Sequence, residues 1–256
     1  MTRVAGATTG SKTPARPMRP TGYFQRAEMP LTSLIFLLPL IVLYELGTHY
    51  ISITHHQGEQ DIIAFKLLQK FFFLFGATGR YLPALAVVGI LLAWHIARDD
   101  TWQVSISTIF GMICESFLLA LPLILMGFAA ARYWSLSASR LAPSSLIVLS
   151  IGAGIYEELV FRLMALTLLH LLLIDLFRMK RSIAYLLMVL VSSVLFASYH
   201  YLGSEPFIWQ TFAFRTAAGL YFGAIFVFRG FGITAGSHAA YDVLIVLLRV
   251  LLPAHL

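Results

Sequence analysis

The stretch Ile155-Tyr156-Glu157-Glu158-Leu159-Val160-Phe161-Arg162 decides how this chain is read. It holds two adjacent carboxylates and, one turn later, a guanidinium. Uncharged residues flank it on both sides, from Leu146 to Gly154 and from Leu163 to Leu169. An ionised side chain at membrane depth costs roughly 2.5–3.5 kcal/mol on insertion scales. Such charges persist where they do something. On a helix Glu158 and Arg162 stand at i and i+4, one above the other, with the carboxylate on the favoured N-terminal side. Glu157 is turned about 100° away and has no cationic partner in its own helix. One carboxylate is therefore held by Arg162, while the other is available as a general base. The plainer role for Glu158 and Arg162 is an ion pair that locks two helices together.

Two further polar centres lie downstream in apolar segments. Phe196 and His200 are four apart, in Leu195-Phe196-Ala197-Ser198-Tyr199-His200, so the phenyl ring can pack over the imidazole. His238 and Asp242 are also four apart, in Gly236-Ser237-His238-Ala239-Ala240-Tyr241-Asp242. Ala235, Gly236, Ala239 and Ala240 around them allow a neighbouring helix to come close. The bland alternatives are an interfacial histidine at 200 and a helix–helix hydrogen bond at 238 and 242.

The rest of the chain explains why these groups are unusual. It has 256 residues, 59% hydrophobic and only 12% charged, with a mean hydropathy of +0.83. Soluble domains carry about 25% charged residues. The composition points to an all-α, polytopic transmembrane helical bundle. The lone Cys114 excludes an intramolecular disulfide and a cysteine zinc site, and its apolar setting suggests inert packing. The net charge is +6, but the basic residues sit at the ends of apolar segments, not among aromatics as on a nucleic-acid surface. No nucleic-acid partner is expected.

Residues 1–30 read as a disordered basic tail with Arg3, Lys12, Arg16, Arg19 and Arg26. Residues 31–256 form one integral membrane domain. Its apolar spans are 31–47, 81–97, 107–131, 144–177, 182–201, 206–228 and 232–252. The 62–76 segment mixes Lys66 and Lys70 with Phe71-Phe72-Phe73 and suits an interfacial amphipathic helix. That gives seven spans, or eight if 62–76 crosses. The His55-His56-x-x-Glu59-x-Asp61 loop reads as solvated, with metal binding the alternative. Glu45 and Glu115 suit structural hydrogen bonds, and Arg215 an interfacial, snorkelling position. With seven spans, a cytoplasmic tail puts Arg98, the Arg178/Lys180/Arg181 cluster and Arg229 on the same side, as the positive-inside rule prefers.

The three motifs, in this order on three apolar segments, resemble the CPBP (CAAX-protease and bacteriocin-processing, or Abi) family of intramembrane glutamic endopeptidases. That family's signatures are EExxxR, FxxxH and HxxxN or HxxxD. The resemblance covers residues 144–252. It implies a catalytic set of Glu157, Glu158, Arg162, His200, His238 and Asp242. Glu157, with His200 beside it, would activate a water. Arg162 would orient the glutamates, and His238 with residue 242 would stabilise the oxyanion. The departure is Asp242, where prenyl endopeptidases carry Asn. An Asp there must either be neutral to donate to the oxyanion, the favoured alternative because no arginine lies close in sequence, or ionised to accept from His238. A second difficulty is depth, because one span separates His200 from His238 and the two start from opposite ends of antiparallel helices.

No cofactor is expected. The runner-up is a metal-dependent protease with the same residues as ligands, disfavoured by the missing HExxH pattern and by an arginine beside the site. A third reading is a transporter or membrane scaffold with buried charges, which lacks an inverted repeat or paired broken helices in this sequence. A site at membrane depth calls for a lipidated, membrane-embedded or strongly apolar peptide as substrate, with membrane lipids as neighbours. The compact layout suggests a bacterial plasma membrane with the N-terminus cytoplasmic. Substrate identity and oligomeric state are not readable.

Overall fold

Apolar sequence in a bilayer must satisfy its backbone internally, which leaves helices or closed barrels. The computed structural model describes residues 22–55, 62–131, 141–203 and 205–252, and their regular secondary structure is all helical. The chain runs α1 (Tyr23–Ala27), α2 (Pro30–His55), α3 (Ile63–Leu74), α4 (Leu82–Ala97), α5 (Ile106–Ala131) and α6 (Pro143–Glu158). A π-helical stretch (Leu159–Met164), α7 (Ala165–His170) and a second π-helical stretch (Leu171–Leu176) continue α6 without a break. Then follow α8 (Arg181–Tyr199), a 3-10 turn (His200–Leu202) and α9 (Trp209–Leu251). The solvated-loop reading of His56, Glu59 and Asp61 falls outside the described residues, as do residues 1–21 of the tail. The tail's last part is structured: Tyr23–Ala27 is helical.

Five helical stretches are long and apolar enough to cross a membrane: 30–53, 106–129, 143–176, 181–202 and 209–251. The last is 43 residues long and is broken at Gly230, with φ 75° and ψ −178°. That conformation belongs almost exclusively to glycine. The chain folds back there, so that Phe222 stacks on His238, the two being equally distant in sequence from Gly230, with ring centroids 4.5 Å apart. The final helix is thus a hairpin of two spans, as the separate 206–228 and 232–252 segments predict. With the hairpin counted as two, the span-length arms among the described residues number six, and the shorter apolar α4 is the seventh apolar segment.

Helix α3 does not add an eighth. Its 12 residues reach about 18 Å at 1.5 Å per residue, short of a hydrocarbon core of about 30 Å. Both its flanks return to one end of the bundle. Ile63 lies against Gly203, and Arg80, just beyond the helix, donates to Thr48 near the end of α2. One face, Ala64, Phe65 and Leu68, is buried, while Phe73 and Leu74 are exposed.

Helix α9 is the centre of the bundle and packs most extensively on α5, α6 and α8. Small residues set these approaches, as expected from Ala235, Gly236 and Ala239. A Cβ on Gly154 of α6 would stand 2.5 Å from the Ala239 nitrogen, so the two backbones touch. The outward faces of α2, α5 and α8 are apolar, with Leu46, Phe110, Leu125 and Leu186 well exposed. In a bilayer these residues meet lipid. Cys114 belongs to this exposed surface and is not the buried packing residue its sequence suggested.

Candidate active site

The two glutamates have different environments. Glu158 is completely buried, and so is Arg162. The Arg162 Nε lies 3.1 Å from Glu158 Oε2, as the i, i+4 spacing predicts. Its NH2 donates to the Gly219 carbonyl at 3.1 Å. The guanidinium sits 4.4 Å from the centre of the Phe196 ring. Arg162 thereby ties α6 to both α8 and the first arm of the hairpin. It stands within the π-helical stretch Leu159–Met164, whose Phe161 carbonyl accepts from Ser192 of α8. Widened turns of this kind occur frequently at functional sites.

Glu157, one residue earlier, faces a cavity of about 350 Å³ whose wall also includes Phe196, His200, His238 and Asp242. Glu158 and Arg162 lie behind that wall. Glu157 is not without partners, as its helix alone suggested: its Oε2 lies 3.8 Å from His238 Nε2, and the Tyr199 hydroxyl is within reach. Both come from other helices.

His238 stands among three carboxylates. Its Nδ1 is 2.7 Å from Glu158 Oε1, and its Nε2 is 3.4 Å from Asp242 Oδ2. The Phe222 ring stacks on its face. Glu158 therefore bridges Arg162 and His238 through its two oxygens, which joins the first and third motifs directly.

His200 joins through an aromatic bridge. The Phe196 ring is 5.2 Å from the His200 ring and 5.9 Å from that of His238, edge-on to both. The depth difficulty is resolved because α8 carries His200 to its C-terminal end, as the hairpin returns His238 to the same cavity. The His200 Nδ1 lies 2.8 Å from the Phe196 carbonyl. A carbonyl only accepts, so Nδ1 carries a proton, and in the neutral ring Nε2 is then the acceptor.

Other polar residues sort as follows. Glu45 accepts from Tyr156 at 3.0 Å and is structural, as expected. Glu115 also holds structure: it receives Tyr23 and Arg229, and Arg229 also reaches Glu28 at 3.0 Å. This network closes the hairpin's turn against α1 and α5. Arg215, expected at an interface, stands near the start of α9, where it lines the cavity and holds Glu205 through two 2.9 Å contacts. Tyr199 and Phe222 were missed, because their contacts are made across helices and no local spacing announces them. Among the described residues no three His, Cys, Asp or Glu side chains converge as a metal ion would need.

No curated protein and no solved structure matches the chain. Residues 139–244, which contain all three motifs, match the family model described as Type II CAAX prenyl endopeptidase Rce1-like, in agreement with the CAAX-protease family that the motifs resemble.

Proposed function

We propose that this protein is a glutamic intramembrane endopeptidase that hydrolyses a peptide bond in a membrane-embedded, lipidated or strongly apolar peptide. The observation that carries the reading is the division of labour between neighbours. Glu157 opens onto the cavity, while Glu158 is consumed by Arg162 and His238. Glu157 takes a proton from a water in the cavity as that water attacks the scissile carbonyl. His200 Nε2, an acceptor, helps to hold the water. The imidazole of His238, oriented by Glu158 at Nδ1, donates from Nε2 to the developing oxyanion. Glu157 then passes its proton to the departing amine, which completes hydrolysis.

In this scheme Asp242 accepts from His238 Nε2–H in the resting site and gives that hydrogen up to the oxyanion as it forms, and it does not take the neutral donor role favoured from sequence. Sequence shows no cation near Asp242, but the fold sets it beside an imidazole whose other nitrogen is bonded to Glu158. The chemistry needs no metal. Arg162 beside the carboxylates supports this, since it already occupies the charge-balancing position a cation would take. The apolar outer surface supports a substrate delivered within the membrane. The compact, linker-free layout supports a bacterial plasma membrane, and the basic loops support a cytoplasmic N-terminus.

The test is mapping of peptide termini produced by purified protein in proteoliposomes, with and without Glu157→Gln. Positioned general bases contribute about 10²–10⁴-fold, so the variant should lose at least about 10²-fold while melting like the parent protein. Cleavage should persist in EDTA. Near-normal turnover by a folded Glu157→Gln protein would remove Glu157 from the chemistry, and activity lost with a chelated metal would favour the metal-dependent alternative.

A further inference from the structure

The segment from Ile62 to Tyr81 carries three cations, Lys66, Lys70 and Arg80, and no carboxylate. Gly76, at φ 74°, takes a backbone conformation open to glycine at no steric cost. It turns the chain back along α3, so that Ala77-Thr78-Gly79-Arg80 faces Gln69, Lys70 and Phe73 across a cleft of about 360 Å³. The N–H groups of Phe75, Gly76 and Ala77 close onto the Phe72 and Phe73 carbonyls, which removes two acceptors from the helix end. The polar side chains that line the cleft all carry donors: the Gln69 amide, the Lys70 ammonium, the Thr78 hydroxyl and the Arg80 guanidinium. Arg80 is held in place by its 2.7 Å hydrogen bond to Thr48 of α2. Donors around a cleft, in a segment free of carboxylates, match a phosphate.

The rim of the cleft is apolar. Phe73, Leu74 and Phe75 are 67%, 80% and 74% exposed. They are not the packing face of α3: that face carries Phe65, whose ring lies 5.6 Å from Tyr44 and 5.0 Å from Tyr156. Large apolar side chains directly beside a cationic cleft fit an amphiphile, a phosphate with hydrocarbon attached. A free phosphate would engage the donors and leave the rim bare.

We propose that this cleft binds the headgroup of an anionic phospholipid of the phosphatidylglycerol type. Lys70 and Arg80 meet the phosphate, and the Phe73–Phe75 rim lies against the acyl chains. The site is separate from the chamber that holds Glu157 and does not depend on the peptidase reading. A lipid held there ties α3 to the membrane surface, and through Phe65 it steadies the helix against Tyr156, the residue before Glu157.

The test reads the site locally. Phe75→Trp places an indole on the rim, and its emission is taken as the difference from the parent protein with its four tryptophans. The protein is reconstituted in phosphatidylcholine vesicles that contain a small fraction of lipid brominated on its acyl chains. Each basic residue near the surface is worth about fivefold in affinity for anionic lipid, so brominated phosphatidylglycerol should quench at about twentyfold lower content than brominated phosphatidylcholine. Lys70→Gln, on an exposed helix face, should lower that preference about fivefold, and Lys70→Arg should keep it. Lys66→Gln, one turn back and outside the cleft, should leave most of it. The proposal is overturned if a folded Lys70→Gln protein keeps the full preference, or if both brominated lipids quench alike. Equal losses for Lys66→Gln and Lys70→Gln would also overturn it, since the attraction would then be diffuse surface charge. So would relief of quenching by inorganic phosphate beyond that given by sodium chloride at equal ionic strength, which would make the cleft a site for free phosphate.

Discussion

One helical step separates Glu157, which opens onto the cavity and is the proposed reactive group, from Glu158, which is buried behind it. Glu158 and Arg162 are fully buried, and removing one member of a buried ion pair costs about 3–5 kcal/mol because the other charge is left alone. Arg162→Ala should therefore lower thermal stability by about that amount and abolish cleavage. Arg162→Lys should recover part of the stability but not the flat contact with Phe196 or the reach to Gly219. A melting curve for Arg162→Ala identical to the parent's would show that the pair is not stabilising. The pairing of 158 with 162 and of 238 with 242 was legible because each lies within one helix. The Glu158–His238 bond and the approach of Tyr199 to Glu157 were not. They depend on how helices distant in sequence are rotated against one another, and no local spacing encodes that rotation.

At the scale of elements, the hairpin hinge is the feature on which the site depends. Gly230 has room for a methyl group, since the nearest atom to an added Cβ is 3.8 Å away, but its φ of 75° with ψ of −178° does not suit an L-residue. Gly230→Ala should cost about 1–3 kcal/mol in backbone strain. It should also reduce cleavage, because any rotation of the returning arm moves His238 off Glu158. Thermal melting and turnover of this variant, beside a Gly89→Ala control in the open on α4, would check it; equal behaviour would show that the turn tolerates a side chain. Span existence and the break between 228 and 232 were readable from hydropathy and from the glycines. The π-helical widening at Leu159–Met164 was not, because its residues are ordinary helix formers and the extra residue per turn is imposed by packing on α8.

For the whole molecule, the cavity opens at the end of the hairpin away from Gly230, between the start of α9, its end and the end of α5. The basic clusters Arg98 and Arg178/Lys180/Arg181 lie towards the opposite end, with α1 and Arg229. A cytoplasmic N-terminus therefore turns the cavity mouth to the outer side of the membrane. In a Cys114→Ser background, Phe207→Cys should react with a membrane-impermeant maleimide added outside intact cells, and Arg98→Cys only after permeabilisation; the reverse pattern would invert the orientation. The cavity wall ends at Phe222 and His238, and below them the hairpin turn is sealed by Arg229, Glu115 and Glu28. The chamber is a cul-de-sac. For the proposed peptidase, a peptide would not be threaded through that closed end, and both fragments would leave by the door through which the substrate came. Such an enzyme makes one cut per visit, and a cleaved end that lingers at the doorway is a natural competitor for the next arrival.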